Sequence, residues 1–163
     1  MADRSIQVLF VCLGNICRSP LAEGVLRQLV AEAGLGDRIR VVSAGTGDWH
    51  VGKPPDARMV ATAAARDVDL SMQRAQVLTP ALIEASGEIL VMDRENLRNA
   101  RALISDPALR ERIRRFREDD PEPGDGDVPD PYYGGEEGFV EVFGIVDRTA
   151  RALLNRLRRE HGI

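Results

Sequence analysis

Cysteine is scarce in this chain of 163 residues, with Cys12 and Cys17 the only two. Lying in one short stretch, they exclude a disulfide framework and a zinc site built from several thiolates. The two histidines, His50 and His161, stand far apart without ligand spacing, so no metal and no cofactor is expected. Long apolar runs are missing as well: none approaches the ~20 residues of a membrane span, and no membrane partner is expected. The apolar stretch from Ile6 to Leu13 is too short for a signal peptide and lacks a small-residue cleavage site after it. A cytoplasmic setting, in which thiols stay reduced, follows as an expectation, with export by a route that needs no cleaved signal left open. An excess of positive charge is also absent. The formal net charge of −4 argues against a nucleic-acid partner, and the arginines alternate with acids, as in Arg110-Glu-Arg-Ile-Arg-Arg115, a pattern expected of solvated helix faces.

What is present begins with Val8-Leu-Phe-Val-Cys-Leu-Gly-Asn-Ile-Cys-Arg-Ser-Pro20. The run from Val8 to Val11 reads as a buried strand, Gly14 and Asn15 allow a tight loop, and Ser19-Pro20 reads as an N-cap with proline at the first helical position. Cys12 and Arg18 then face each other across one loop. Leu13, Gly14, Asn15, Ile16, Cys17 and Ser19 would surround an oxyanion with donors, and the positive end of the following helix adds to them. That setting favours the thiolate, the nucleophilic form of Cys12. Arg18 offers a planar fork that holds two phosphate oxygens at once. Ser19 stands where its hydroxyl would donate to the sulfur; capping the helix is the simpler role, and the two are compatible. The Cys-x5-Arg spacing is weak by itself, and the strand before it and helix start after it give it weight.

A phosphate monoester is cleaved more easily when an acid protonates the leaving oxygen. Val128-Pro-Asp-Pro-Tyr-Tyr-Gly-Gly135 supplies a candidate in Asp130, stiffened by a proline on each side and followed by glycines that end the segment in a loop. Without the Cys12 loop the same stretch would be an ordinary Asp-Pro turn. The acidic run from Glu118 to Asp130 reads as a long surface loop leading to that residue, whose negative field would steer basic substrates or merely keep the loop solvated. Apolar spacing predicts helices over about 20–33, 56–66, 94–104 and 139–160 and strands over 39–43 and 88–92. The stretch 108–116 fits a helix. The alternation predicts one α/β domain over 1–163, a parallel sheet with helices on both faces and the phosphate-binding loop after the first strand. That loop sits at the carboxyl end of the sheet, where such folds bind ligands, and Asp93, after the third strand, is expected at the same end to bind loop backbone.

Cys12-Leu-Gly-Asn-Ile-Cys-Arg-Ser19, Ser43-Ala-Gly-Thr with Trp49-His-Val-Gly52, and Asp130-Pro-Tyr-Tyr133 together resemble the low-molecular-weight protein tyrosine phosphatases, in that family's order and over essentially the whole chain. The resemblance implies that Cys12 is the nucleophile and forms a phosphocysteine, that Arg18 binds phosphate and the transition state, and that Asp130 is general acid and then base. It also makes the sheet four-stranded by placing the last strand within 108–116. Asn15 and Ser43 would hydrogen-bond to keep the loop in shape, and Trp49, Tyr132 and Tyr133 would wall a cleft suited to an aryl phosphate. The implied partner is a phosphotyrosine protein or peptide, with inorganic phosphate as product. Cys17 is either a buried structural thiol or a partner that condenses with an oxidised Cys12. An arsenate reductase shares the loop but carries further cysteines downstream, and none follows Cys17. The phosphoarginine phosphatases have threonine where this chain has Ile16. A module that only binds anions needs neither the thiolate nor the acid. Oligomeric state is not legible in the residues.

Overall fold

The apolar run near the start forms β1 (Ile6–Cys12), whose residues Val8 to Val11 are fully buried, as befits a strand covered on both faces. In the computed structural model, which describes residues 5–163, β1 lies between β2 (Ile39–Gly45) and β3 (Glu88–Val91), and β4 (Ile113–Arg115) pairs with the far side of β3. Every pairing is parallel, giving a four-stranded sheet of order β2-β1-β3-β4.

Alternation along β1 divides the core. Val8, Phe10 and Cys12 face the cluster under α1 (Arg18–Glu32), α2 (Ala57–Ala64) and α6 (Glu136–His161). Leu9 and Val11 face the cluster under α3 (Pro80–Glu84), α4 (Arg94–Arg101) and α5 (Pro107–Arg112). Helices thus cover both faces, and the fully buried Leu and Phe side chains contribute about 1.5–3 kcal/mol each. The Phe10 and Phe116 rings meet edge to face with centroids 5.0 Å apart. The neighbours of β1 lie on opposite sides of it, which opens a crevice at its carboxyl end.

Several element bounds differ from those expected. α2 and α4 end before residues 66 and 104. α3 was not legible: it has five residues, too few for periodicity to show, although Thr79 caps it by accepting from Leu82 N and Pro80 opens it. The stretch 108–116 is divided between α5 and β4, because Ile113, fully buried, pairs with Ile89 of β3.

The charged segments are also less solvated than their composition suggests. Arg114 and Arg115 sit on β4, half-buried, and pair with Asp119 at 3.1 Å and Asp127 at 3.0 Å. Asp119 also receives Arg156 at 2.7 Å, and Arg156 is bonded to Glu88. Asp120 has a wholly buried side chain held by Arg117 and Arg148, both at 2.8 Å. The run from Glu118 to Asp130 is therefore a strap pinned by arginines, with much of its negative charge answered, rather than a free acidic loop.

Candidate active site

β1 ends at Cys12 and α1 begins at Arg18, so residues 13–17 turn between them. Asn15 takes φ 57°, a left-handed conformation that asparagine tolerates better than most residues. Gly45 of β2, in register with Cys12, runs directly beneath. A Cβ there would lie 2.8 Å from Leu13 O and 3.0 Å from Asn15 N, so only glycine fits. Thr46 N and Gly47 N donate to the carbonyls of Cys12 and Leu13 at 2.9 and 2.8 Å, and Asp56 N donates to Ile16 O at 2.8 Å.

Ser19 does not cap α1. Cys17 occupies the N-cap position, and no side chain caps the first turn, which leaves its amide donors for an anion. Ser19 lies inside that turn with Oγ 2.9 Å from Cys12 Sγ. Asn15 Nδ2 donates to Ser19 Oγ at 2.8 Å and to Ser43 Oγ at 3.0 Å, and Ser43 Oγ donates to Glu23 Oε1 at 2.7 Å. Burial pushes the Glu23 carboxyl above its ordinary value, against the pull of Ser43 and Arg27.

Arg18 is 2 % exposed. Its Nη1 donates to Asp93 Oδ2 at 2.7 Å and to Val128 O at 3.0 Å, and its Nη2 reaches Asp130 Oδ2 at 3.5 Å. Burial alone would lower its pKa, but the charges of Cys12, Asp93 and Asp130 hold it above the ordinary value, so the guanidinium stays charged. Asp93 does not bind loop backbone as expected. Standing just after β3, it uses one oxygen to cap α4 through Asn96 N at 2.8 Å and the other to aim Arg18. Burial, with the charges of Asp56, Cys12 and Asp130, pushes the Cys17 thiol far above its usual range, so it stays protonated. Cys12 and Cys17 are both free thiols.

A cavity of about 380 Å³ opens over this loop, lined by Cys12, Leu13, Gly14, Ile16, Cys17, Arg18, Trp49, His50, Asp130, Tyr132 and Tyr133. The Tyr132 and Tyr133 rings stand edge to face at 4.9 Å, while Trp49 is largely exposed on the opposite stretch of chain. The structure thus brings together the nucleophile candidate, the arginine, the carboxylate and all three aromatic residues. Asn15, Ser19 and Ser43 lie behind the loop, and Asp93 lies behind Arg18.

The family model described as low molecular weight phosphotyrosine protein phosphatase matches residues 7–162. The chain belongs to this family. Low molecular weight protein-tyrosine phosphatase A of Mycobacterium tuberculosis is 42% identical over 150 residues, covering 91% of this chain and 89% of the relative. The low molecular weight phosphotyrosine protein phosphatase of Sus scrofa is 36% identical over 152 residues, covering 93% and 95%. Among solved structures, a protein tyrosine phosphatase from Entamoeba histolytica with Hepes in its active site superposes with TM-score 0.89 at 30% identity, covering 97% of this chain and 99% of that one. Vibrio vulnificus Wzb in complex with benzylphosphonate gives 0.80 at 32% identity, covering 93% and 98%.

In this low-molecular-weight phosphatase, three residues at or behind the site were given no role there from the sequence, although His50 lies within the Trp49-His-Val-Gly52 stretch. His50 lines the cavity with its ring 6.4 Å from that of Tyr132. Arg58 ties the tyrosine segment to the start of α2: it forks onto Asp56 at 2.9 and 3.1 Å, donates to Tyr132 O at 3.0 Å and lies 4.6 Å from the Phe139 centroid. Glu23 looks like any solvated helix acid in the sequence, and its burial against Ser43 depends on the packing of α1 over β2. Among the described residues no group of three His, Cys, Asp or Glu is placed to hold a metal ion.

Proposed function

We propose that this chain hydrolyses phosphotyrosine in proteins or peptides through a phosphocysteine on Cys12. The observation that carries the reading is the convergence of Cys12, Arg18 and Asp130 on one cavity with an aromatic wall. The Cys12 thiolate attacks phosphorus while Arg18 and the loop amides hold the equatorial oxygens, and Asp130 gives its proton to the departing tyrosine oxygen. The Asp130 carboxylate then takes a proton from water, whose oxygen attacks phosphorus and releases inorganic phosphate. The sulfur leaves as a thiolate eased by the Ser19 hydroxyl 2.9 Å away. The walls of Trp49, Tyr132 and Tyr133 suit an aryl group, and the related Wzb was solved with benzylphosphonate. Two free thiols suit a reducing cytoplasm, and among the described residues no helix is long and apolar enough to cross a membrane.

The test is phosphate release from a phosphotyrosine peptide with a chelator present, for the wild-type protein and for Cys12→Ser. Turnover by the wild type that the substitution abolishes supports the reading. Turnover that survives the substitution, or faster release from phosphoarginine than from phosphotyrosine, overturns it.

A further inference from the structure

The hydrogen-bond network behind the loop has a direction, and one donor sets it. The Gln76 backbone N–H can only donate, and it meets Asn15 Oδ1 at 2.9 Å. The Asn15 amide is thereby oriented with Nδ2 toward Ser19 Oγ at 2.8 Å and Ser43 Oγ at 3.0 Å. Both serine oxygens accept, so each hydroxyl must place its own proton elsewhere. For Ser43 the acceptor is Glu23 Oε1 at 2.7 Å, and for Ser19 it is Cys12 Sγ at 2.9 Å. The other oxygen of Glu23 accepts from Arg27 Nη2 at 2.7 Å. The same Nη2 donates to Val41 O at 2.9 Å, which anchors the half-exposed Arg27 side chain beside Glu23 with donors, and no acceptor, aimed at that oxygen.

We propose that Glu23 is a positioning residue for Cys12: as the buried acceptor for Ser43, it keeps Asn15 donating to both serines and leaves the Ser19 proton for the Cys12 sulfur. The inference rests on Cys12 being the nucleophile, as proposed above. Glu23 is 8 % exposed and touches no group that reacts, so it acts only through Ser43 and Asn15. Gln76 supports the same arrangement a second time, since its Nε2 donates to Ser43 O at 2.9 Å.

Glu23→Gln tests this because it keeps the shape and changes the donor pattern. Arg27 claims the one amide oxygen, which turns the amide nitrogen toward Ser43. Ser43 then faces two donors, its own proton has no acceptor, and the conflict falls on Asn15. The expected result is a fall in kcat of about tenfold with KM within about twofold, and an upward move in the pH midpoint for alkylation of Cys12 by iodoacetate. Adding Arg27→Ala frees the amide to turn its oxygen back to Ser43, and both quantities should return toward wild type. Thermal midpoints are recorded for each variant, and alkylation is measured below them. Glu23→Gln that lowers the thermal midpoint while leaving kcat and the alkylation midpoint in place would overturn the inference, as would a double variant that recovers neither. Alkylation needs no turnover, so the two readings fail separately. A wild-type Cys12 that alkylates like an ordinary thiol would remove the nucleophile and this inference with it, whereas a reactive wild-type Cys12 unmoved by Glu23→Gln would remove only the inference.

Discussion

Asp120→Asn should destabilise the protein from a point far from the chemistry. The Asp120 carboxylate receives Arg148 Nε and Nη2 at 2.8 and 2.9 Å, Arg117 Nε at 2.8 Å and Glu122 N at 2.8 Å. An amide keeps one acceptor oxygen and turns an NH2 group on guanidinium donors, leaving Arg148 only the exposed Glu122, at 3.4 Å, as a carboxylate partner. Breaking a buried ion pair costs about 3–5 kcal/mol. Because the Arg148 side chain is 36% exposed and its charge can reach water, the lower end, ~3 kcal/mol, is expected. At about 2–4 °C per kcal/mol for a chain of this size, the thermal midpoint should fall by about 6–12 °C. The pH dependence adds a second check. Burial raises the Asp120 pKa, but the Arg148 and Arg117 hydrogen bonds outweigh it and hold the carboxyl well below the usual range. Its contribution is therefore complete above the unfolded-state value of about 3.9 and is lost as pH falls through the lower folded value. The gap between wild type and variant, read by scanning calorimetry, should stay constant through neutral pH and close in acid below about pH 4. A fall of less than about 2 °C at neutral pH would refute the view that this clamp pins the strap.

Gly45→Ala brings a Cβ to 2.8 Å from the Leu13 carbonyl and must push the loop upward; a displacement near 1 Å should lower kcat by about 10²-fold in steady-state assays while the far-ultraviolet circular dichroism stays unchanged. Asp130→Asn should lower kcat on phenyl phosphate by about 10²–10⁴-fold and on 4-nitrophenyl phosphate by much less, since the better leaving group needs no proton. Equal losses on the two esters would remove Asp130 as the acid.

The residues that line the cavity were more legible in the sequence than the support beneath them. The run Val8 to Val11 announces a buried strand by composition alone, and the spacing from Cys12 to Arg18 confines a short loop between strand and helix. Ser19-Pro20 misled: the pattern of an N-cap followed by proline was right for a helix start but displaced within it, because the hydroxyl is drawn to Cys12 and Asn15 instead of to the helix amides. Charge pattern misled more. Arginines and acids interspersed along a chain look solvated whether or not they pair, and only the packing of α6 against the strap shows that Arg148 and Arg156 neutralise Asp120 and Asp119. Glu23 and Gln76 reach the site through tertiary contacts 20 and 61 residues away in sequence, from Glu23 to Ser43 and from Gln76 to Asn15, and no local pattern encodes such a meeting.

The most direct measurement is to mix the protein with an aryl phosphate labelled on phosphorus, quench it within its first turnover in mildly alkaline detergent, and locate the label by peptide mapping. Label on Cys12, absent from Cys12→Ser, is the expected result. Label on Ser19 or His50, or turnover without any labelled residue, would contradict a phosphocysteine mechanism.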